Sequence, residues 1–533
     1  MKKFKILGGG TLTAASFIYF STRKPLIFAE SKHQVLYNNN RKKIIKDTAI
    51  DCNSSRYALE KRRNLNPLWI PFRLVHLGVI FMPAFVSFPF WFVENKLFPH
   101  RQSLWWVRMV RNLLEYAGPM YIKLGQWISV KTDTLPKEIC NVFSELQSNV
   151  SAHSFSYSKK AIQEAMKCSI DEIKGLKEIP IGVGSVAQVY RGRYQGMDIA
   201  IKVLHPNVKE NLIQDLYIFN LFGLVLHHLP FARLQDLGIP QEINTFSNMI
   251  LAQTDLLNEG ENLMRFGDNF KDYPFITLPE YLPHLSSGKV LVETFQKGLP
   301  LRYVIENGPT VYDKEIAEKG LQAMAKMVLQ DNFVHADLHS GNVLVRFLKE
   351  QERNLLDFGK TQYNLDLDLL DQLQSCKTPL QVQSCLEGAS LNGRKLNLVI
   401  LDVGLTNTLQ SHNIETVRDC FRTGLEYDGE SLARLFIQRS KFPERVQDQP
   451  GLIRKLVNMM NSISNNDRGE VLLSRLFALD VVRNLTSLFR THRITLDGDF
   501  SGVFIAGLIS EGIGRTLNAD LDVLPVLSDY LCD

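Results

Sequence analysis

The chain has 533 residues, of which 45% are hydrophobic and 22% charged, and a formal net charge of +5. That length suits about two to four domains or one large bilobed domain, and the composition excludes disordered and collagen-like classes. The modest positive charge lacks a long basic run interleaved with aromatics, so nucleic acid is set aside as a partner. Cysteines at 52, 140, 168, 376, 385, 420 and 532 lack CxxC or Cys/His ligand spacing, which favours ordinary reduced thiols over a zinc site or disulfide framework.

Residues 1–30 carry Lys2, Lys3, Lys5, Arg23 and Lys24, with no acid before Glu30. This is the pattern of a mitochondrial targeting leader; a secretory signal is the rival, but no A-x-A cleavage site follows the apolar 6–20 stretch. A membrane segment is expected over 70–97, where LVHLGVIFMPAFVSFPFWFV at 74–93 is long enough to span a bilayer. Trp69 and Trp91 suit interfacial anchoring, Pro83 and Pro89 count against an ideal helix, and a buried or re-entrant segment is the alternative.

From 102 to 170 the apolar spacing predicts helices, broken at Gly118-Pro119. At 179–204, IPIGVGSVAQVYRGRYQGMDIAIKVL predicts a strand, a glycine turn, an alternating strand, a turn at Gly196 and a further strand, hence a small antiparallel sheet. Helical patterns follow at 208–228 and 241–267, a strand at 288–295 and a helix at 315–332. Residues 346–395 turn polar and look like an insertion, and 396–533 are mostly helical after a first strand.

The chemistry-bearing residues come in a fixed order. GVGSVAQV places Gly182, Gly184, Ser185 and Ala187 at the spacing of a kinase glycine-rich loop, whose backbone N–H groups approach phosphate oxygens. Lys202 in AIKV sits in the next strand, within reach of the α/β-phosphates. Glu259, in the helical TDLLNEGENLMRF, is its expected carboxylate partner, with Glu261 as the alternative on another face. His335, Asp337 and Asn342 in HADLHSGN repeat the spacing of H-R-D-x-x-x-x-N, whose aspartate positions the nucleophile and whose asparagine binds metal.

Two aspartates compete for the second metal position. Asp357 in LLDFG has the usual short separation from Asn342, but ERNLLD starts among charges, whereas LNLVILD offers a long aliphatic strand ending at Asp402. Asp402 is the expected ligand and Asp357 the alternative.

At these residues the chain resembles the UbiB/ADCK (aarF-domain) family of atypical kinase-like proteins, over about 105–533. KLGQ, from Lys123 to Gln126, is similar to the family's KxGQ signature, and HADLHSGN to its HxDxHxGN loop. The leader, the membrane segment, GVGS in place of an alanine-rich loop and the insertion are most similar to the mitochondrial aarF-domain-containing kinase 2 branch. The family's ExD signature reads QTD here, Gln253 to Asp255, which puts its first carboxylate in doubt.

The resemblance implies an α+β, bilobed protein-kinase-like fold with a small antiparallel-sheet N-lobe (171–296) and a mainly helical C-lobe (297–345 and 396–533). It implies a KxGQ helix, with Lys123 and Gln126, folded over the site, and Glu293 in the hinge strand beside the nucleotide base. It also implies ATP and Mg²⁺ as cofactors, a small-molecule or lipid-like acceptor, the mitochondrial inner membrane, and a role in coenzyme Q or lipid homeostasis. A pseudokinase acting as a nucleotide-regulated membrane scaffold is the alternative. Glu511 with Arg515 reads as an i,i+4 pair, 503–509 as a core helix too short to span a bilayer, and His205 as structural.

Overall fold

Alternation of inward and outward side chains between 187 and 204 builds the sheet that organises the amino-terminal lobe. In the computed structural model the described residues are 69–97, 103–129, 136–146, 152–228, 239–350, 363–409, 411–440 and 443–464, with scattered positions between 485 and 531. The leader, the 503–509 helix, Glu511, Arg515 and Asp357 lie outside them.

Strands β1 (Gly182–Val183), β2 (Ala187–Tyr194), β3 (Met197–Leu204) and β5 (Val290–Thr294) form an antiparallel sheet in the order β1-β2-β3-β5. The expected first strand is only two residues long, Gly182 and Val183, paired with Val189 and Gln188 of β2. Tyr190, Ile199, Ile201, Val203, Val290 and Val292 face a core shared with Ile162 and Met166. Strand alternation therefore turns Ala200, Lys202, Leu291 and Glu293 to the opposite face, toward the second lobe.

Ahead of this sheet run α1 (Trp69–Leu97), α2 (Trp105–Ala117), α3 (Pro119–Ser129), α4 (Lys137–Ser144) and α5 (Phe155–Met166). The 29-residue α1 continues through Pro83 and Pro89, residues that count against an ideal helix but are tolerated in membrane spans. It is long and apolar enough to cross a bilayer, yet one side is packed along the domain. Trp91 stacks on Trp106, Trp106 donates to the Ala84 carbonyl, and Arg73 pairs with Asp215 of α6 (Val208–His228) at 2.8 Å. The other side exposes Phe72, Val75, Val79, Met82, Val86, Phe90, Val93 and Leu97, a stripe at steps of three and four.

The helical pattern at 241–267 is two helices, α7 (Ile239–Ala252) and α8 (Leu256–Phe270). Asp255 divides them by accepting the Asn258 N–H and starting α8 as its N-cap. In the second lobe, β4 (Ile276–Thr277), β6 (Leu299–Pro300), β8 (Val343–Glu350) and β10 (Lys395–Ile400) pair in the order β4-β10-β8-β6, with β9 (Tyr363–Leu365) on β8. Helices α9 (Leu301–Glu306) and α10 (Asp313–Ala325) lead through a wider π turn into β7 (Val334–His335), which pairs with β11 (Thr406–Asn407).

The described part of the 346–395 stretch is folded into this lobe. Helices α11 (Leu367–Ser375) and α12 (Pro379–Leu391) place Leu369, Leu373, Val382 and Leu386 in its core beside Phe266, Phe333 and Phe347. Its polar composition belongs to the outer faces of those helices. The lobe closes with α13 (Ser411–Leu425), α14 (Gly429–Gln438), α15 (Gln449–Ser464) and α16 (Leu524–Leu531).

Helices α14 and α15 approach so closely that a Cβ on Gly429 would sit 2.7 Å from the Leu456 carbonyl oxygen and 2.7 Å from the Val457 Cα. Backbone cannot yield there as a side-chain tip would, so Gly429→Ala is expected to destabilise the protein by about 1–3 kcal/mol. Gly424→Ala, with nothing within 4 Å of its Cβ, is the control. Denaturant midpoints of the two variants check this.

Candidate functional site

Lys202 stands on the cleft face of β3, and Glu259 lies one turn into α8. The lysine Nζ donates to Glu259 Oε1 at 2.8 Å and Oε2 at 2.9 Å, and to Asp402 Oδ1 at 2.8 Å. Its three N–H donors are thus shared between two carboxylates. The two acids differ in access: the Glu259 side chain is 5% exposed, whereas that of Asp402 is 49% exposed. One anchors the lysine from behind and the other opens to solvent.

Small residues allow this approach. A Cβ on Gly404 would lie 3.2 Å from Glu259 Oε2, and one on Gly260 would meet the Tyr281 ring at 2.5 Å. Asn262 of α8 donates to the Val403 carbonyl at 2.9 Å, fixing the segment that carries Asp402. Asp402 itself has φ of 56°, a left-handed conformation that costs about 1–3 kcal/mol in a non-glycine residue and persists only when its surroundings enforce it.

Strand register brings the catalytic-loop residues to the same place. Val343 of β8 pairs with Ile400 of β10, so the next residues outward, Asn342 and Leu401, also meet, and the Leu401 N–H donates to the Asn342 carbonyl at 2.8 Å. Asn342 Nδ2 donates to the Asp337 carbonyl at 3.0 Å. Buried His335 donates from Nε2 to the Leu401 carbonyl at 3.1 Å and accepts the Asp337 N–H on Nδ1 at 3.1 Å. Both ring nitrogens are satisfied by the neutral form, and burial lowers the His335 pKa. Asp337, Asn342 and Asp402 therefore converge on one end of the sheet.

The electrostatics follow from two lysines facing three acids. The positive charge of Lys202, assisted by that of Lys123, holds Asp402 well below the usual carboxylate range. Burial pushes Glu259 up to about 7, with Asp402 adding to the rise and Lys202 opposing it. Burial also pushes Glu293 up, to about 8, and the charges of Glu259 and Asp402 add to this while Lys202 opposes it.

Lys123 and Gln126 sit on α3, whose buried side includes Met120, Tyr121 and Leu124. Gln126 donates to the Leu146 carbonyl at 3.2 Å. Between them, Gly125 leaves room for the Leu146 and Leu114 side chains. The action of Lys123 on Asp402 connects this helix electrostatically to the site.

In the glycine turn the Gly184 N–H donates to the Ala187 carbonyl at 2.8 Å, Gly182 pairs with Val189, and Ser185 is buried. His205 does more than cap a strand: its Nε2 donates to the Gly184 carbonyl at 2.9 Å. Its Nδ1 meets His153 Nδ1 at 2.7 Å, and His153 Nε2 meets Ser158 Oγ at 2.7 Å. A further network missed in the sequence centres on Arg346. It donates to Asn397 at 2.7 Å, Gln296 at 3.0 Å and Thr277 at 2.8 Å, tying the segment after β5 to the second sheet. Those partners are 50 or more residues away, and no spacing signal could have joined them.

Two lobes joined behind a glycine turn, with a lysine–glutamate pair above and an H-x-D loop beside a late aspartate below, are the marks of the protein-kinase-like class. The ABC1 atypical kinase-like domain matches residues 145–374. A mitochondrial ABC1 family protein of Schizosaccharomyces pombe is 30% identical over 501 residues, covering 86% of this chain and 70% of the relative. A mitochondrial ABC1 family protein of Saccharomyces cerevisiae is 29% identical, covering 87% and 75%. A probable protein kinase UbiB of Histophilus somni is 27% identical, covering 69% and 68%. This chain belongs to the ABC1/UbiB family of atypical kinase-like proteins.

The raised Glu293 has a consequence for stability. A carboxyl whose folded-state pKa exceeds its unfolded value of about 4.3 contributes stability fully below that value and loses it as pH rises toward the folded pKa, here about 8. Glu293→Gln removes this dependence. Its stability relative to wild type is expected to grow between about pH 5 and pH 8, by at most on the order of 1.4 kcal/mol per pH unit. Denaturant unfolding across that range measures the difference.

Proposed function

We propose that this chain is a mitochondrial, membrane-attached atypical kinase or ATPase that binds ATP with Mg²⁺. Its reaction is ATP hydrolysis or phosphoryl transfer to a small or lipid-like acceptor, in support of coenzyme Q or lipid homeostasis, and the aarF-domain-containing kinase 2 branch is the part of the family it most resembles. The observation that carries this reading is the convergence of Lys202, Glu259 and Asp402, at 2.8 Å contacts, from three distant segments.

In this reading Gly182, Gly184, Ser185 and Ala187 cover the phosphates, and Lys202 turns from Asp402 to phosphate oxygens while keeping Glu259. The Asp402 carboxylate, freed by that exchange, and the Asn342 amide oxygen are hard oxygen donors suited to Mg²⁺, whose sites take one or two protein ligands plus phosphates. When bound, the ion neutralises charge on the phosphates. Asp337 positions the acceptor hydroxyl or a water and accepts its proton. Glu293 lies by the base, and Lys123 and Gln126 on α3 sit over the site where a protein substrate would otherwise dock, which favours a small acceptor.

Lys202→Ala and Asp402→Asn are each expected to weaken Mg²⁺-dependent ATP binding by about tenfold or more, equivalent to about 1.4 kcal/mol. Calorimetric titration of the folded variants tests this; unchanged affinity and turnover in both rejects the assignment.

The membrane part of the reading rests on the uncharged stripe from Phe72 to Leu97, which suits lipid while the opposite side of α1 holds the domain. Val79→Asp with Val86→Asp is expected to shift the protein from floated liposomes to the soluble fraction without loss of ATP binding. Retention on the liposomes would remove α1 as the anchor.

A further inference from the structure

Glu293 is the acid of the cleft for which phosphate and metal chemistry leaves no role. Its backbone pairs with Ala200, and Leu291 pairs with Lys202, so its side chain shares the cleft face with Lys202 and stands two residues farther from the glycine turn. At a strand rise of about 3.4 Å per residue, that offset is about 7 Å. Phosphates gathered at the turn and Lys202 would leave the base of the same nucleotide against Ala200 and Glu293. Among the described residues, no hydrogen-bond partner engages the Glu293 carboxyl, although Glu259 and Asp402 both hold Lys202.

Resting on the nucleotide-binding reading above, we propose that Glu293 is a base-selecting residue that recognises the 6-amino group and N7 of adenine and rejects a 6-oxopurine. The charge balance of the cleft sets its chemistry. The positive charges of Lys202 and Lys123 act on Asp402, and Lys202 also neutralises Glu259. The third acid has no cation of its own. It carries a proton at neutral pH, in line with its rise to about 8.

A protonated carboxyl offers one donor and one acceptor side by side. In an anti nucleotide the N6/N7 edge of adenine is turned toward the phosphates, hence toward a side chain on the Lys202 side of the base. That edge presents N6–H as donor and N7 as acceptor, which the neutral acid matches in full. Hypoxanthine presents O6 and N7 there, two acceptors, and one of them stays unpaired against the acid. An unmatched polar pair in such a site is what yields large discrimination.

The test measures binding of Mg²⁺–ATP and Mg²⁺–inosine triphosphate to the full chain at neutral pH. Wild type is expected to prefer ATP by about tenfold or more. Glu293→Gln, which keeps a donor beside an acceptor, retains that preference. Glu293→Met, which has neither, binds the two nucleotides within about twofold of each other, by loss of the same discrimination. A Met variant that keeps the wild-type ratio, a Gln variant that loses it, or a wild type that does not discriminate overturns the inference while leaving nucleotide binding intact. A folded wild type that binds neither nucleotide overturns the nucleotide reading itself, and this inference with it.

Discussion

The site depends on one ammonium group shared by two carboxylates. Lys202 is drawn out of water on the cleft face of a sheet whose other face is solid core, and such a group stays charged only if it is paired and hydrogen-bonded. Glu259 supplies the buried partner and Asp402 the exposed one. Because the lysine is on β3, the glutamate on α8 and the aspartate beyond β10, this contact fixes the small sheet, its helix and the second lobe relative to one another.

Around that contact, the structure places small side chains where carboxylate and backbone must approach and amides where backbone must be held. Gly404 and Gly260 sit at the two places where a methyl group would press on Glu259 or on the ring beside its helix. Asn262 and His335 donate to the Val403 and Leu401 carbonyls, and the Leu401 N–H donates to the Asn342 carbonyl, so the left-handed backbone at Asp402 is held on both flanks. Local strain at a binding carboxylate is tolerable because these hydrogen bonds over-determine it.

The glycine turn is tied down by a different device. The His205–His153–Ser158 chain links the Gly184 carbonyl to the helical extension that precedes the sheet. His205 must donate from Nε2 to a carbonyl, so its Nδ1 accepts from His153, and His153 Nε2 in turn accepts from the serine hydroxyl. Extension and turn thereby form one hydrogen-bonded unit. This explains the neutral state of His153, which burial and then the neighbouring His205 push down to about 4.

Much was legible in the residues alone. Glycine spacing, the A-I-K strand, the helix with Glu259 and HADLHSGN are local patterns, each set by the geometry of one element, and their order is enough to define the lobes and the family. Apolar periodicity over 241–267 does not register an N-cap such as Asp255, which divides that pattern into two helices, and the polar composition of 346–395 comes from the outward faces of helices whose inner faces join the core. Tertiary structure alone decided what faces what. The aliphatic run before Asp402 identified a buried strand, but only the antiparallel register of β8 and β10 brings that aspartate to Asn342 across 59 intervening positions, and only the sheet's facing puts Glu293 on the same face as Lys202. Local sequence governs the period of a strand or helix; which distant segments become neighbours is decided by the packing of the whole chain, here the pairing of β8 with β10.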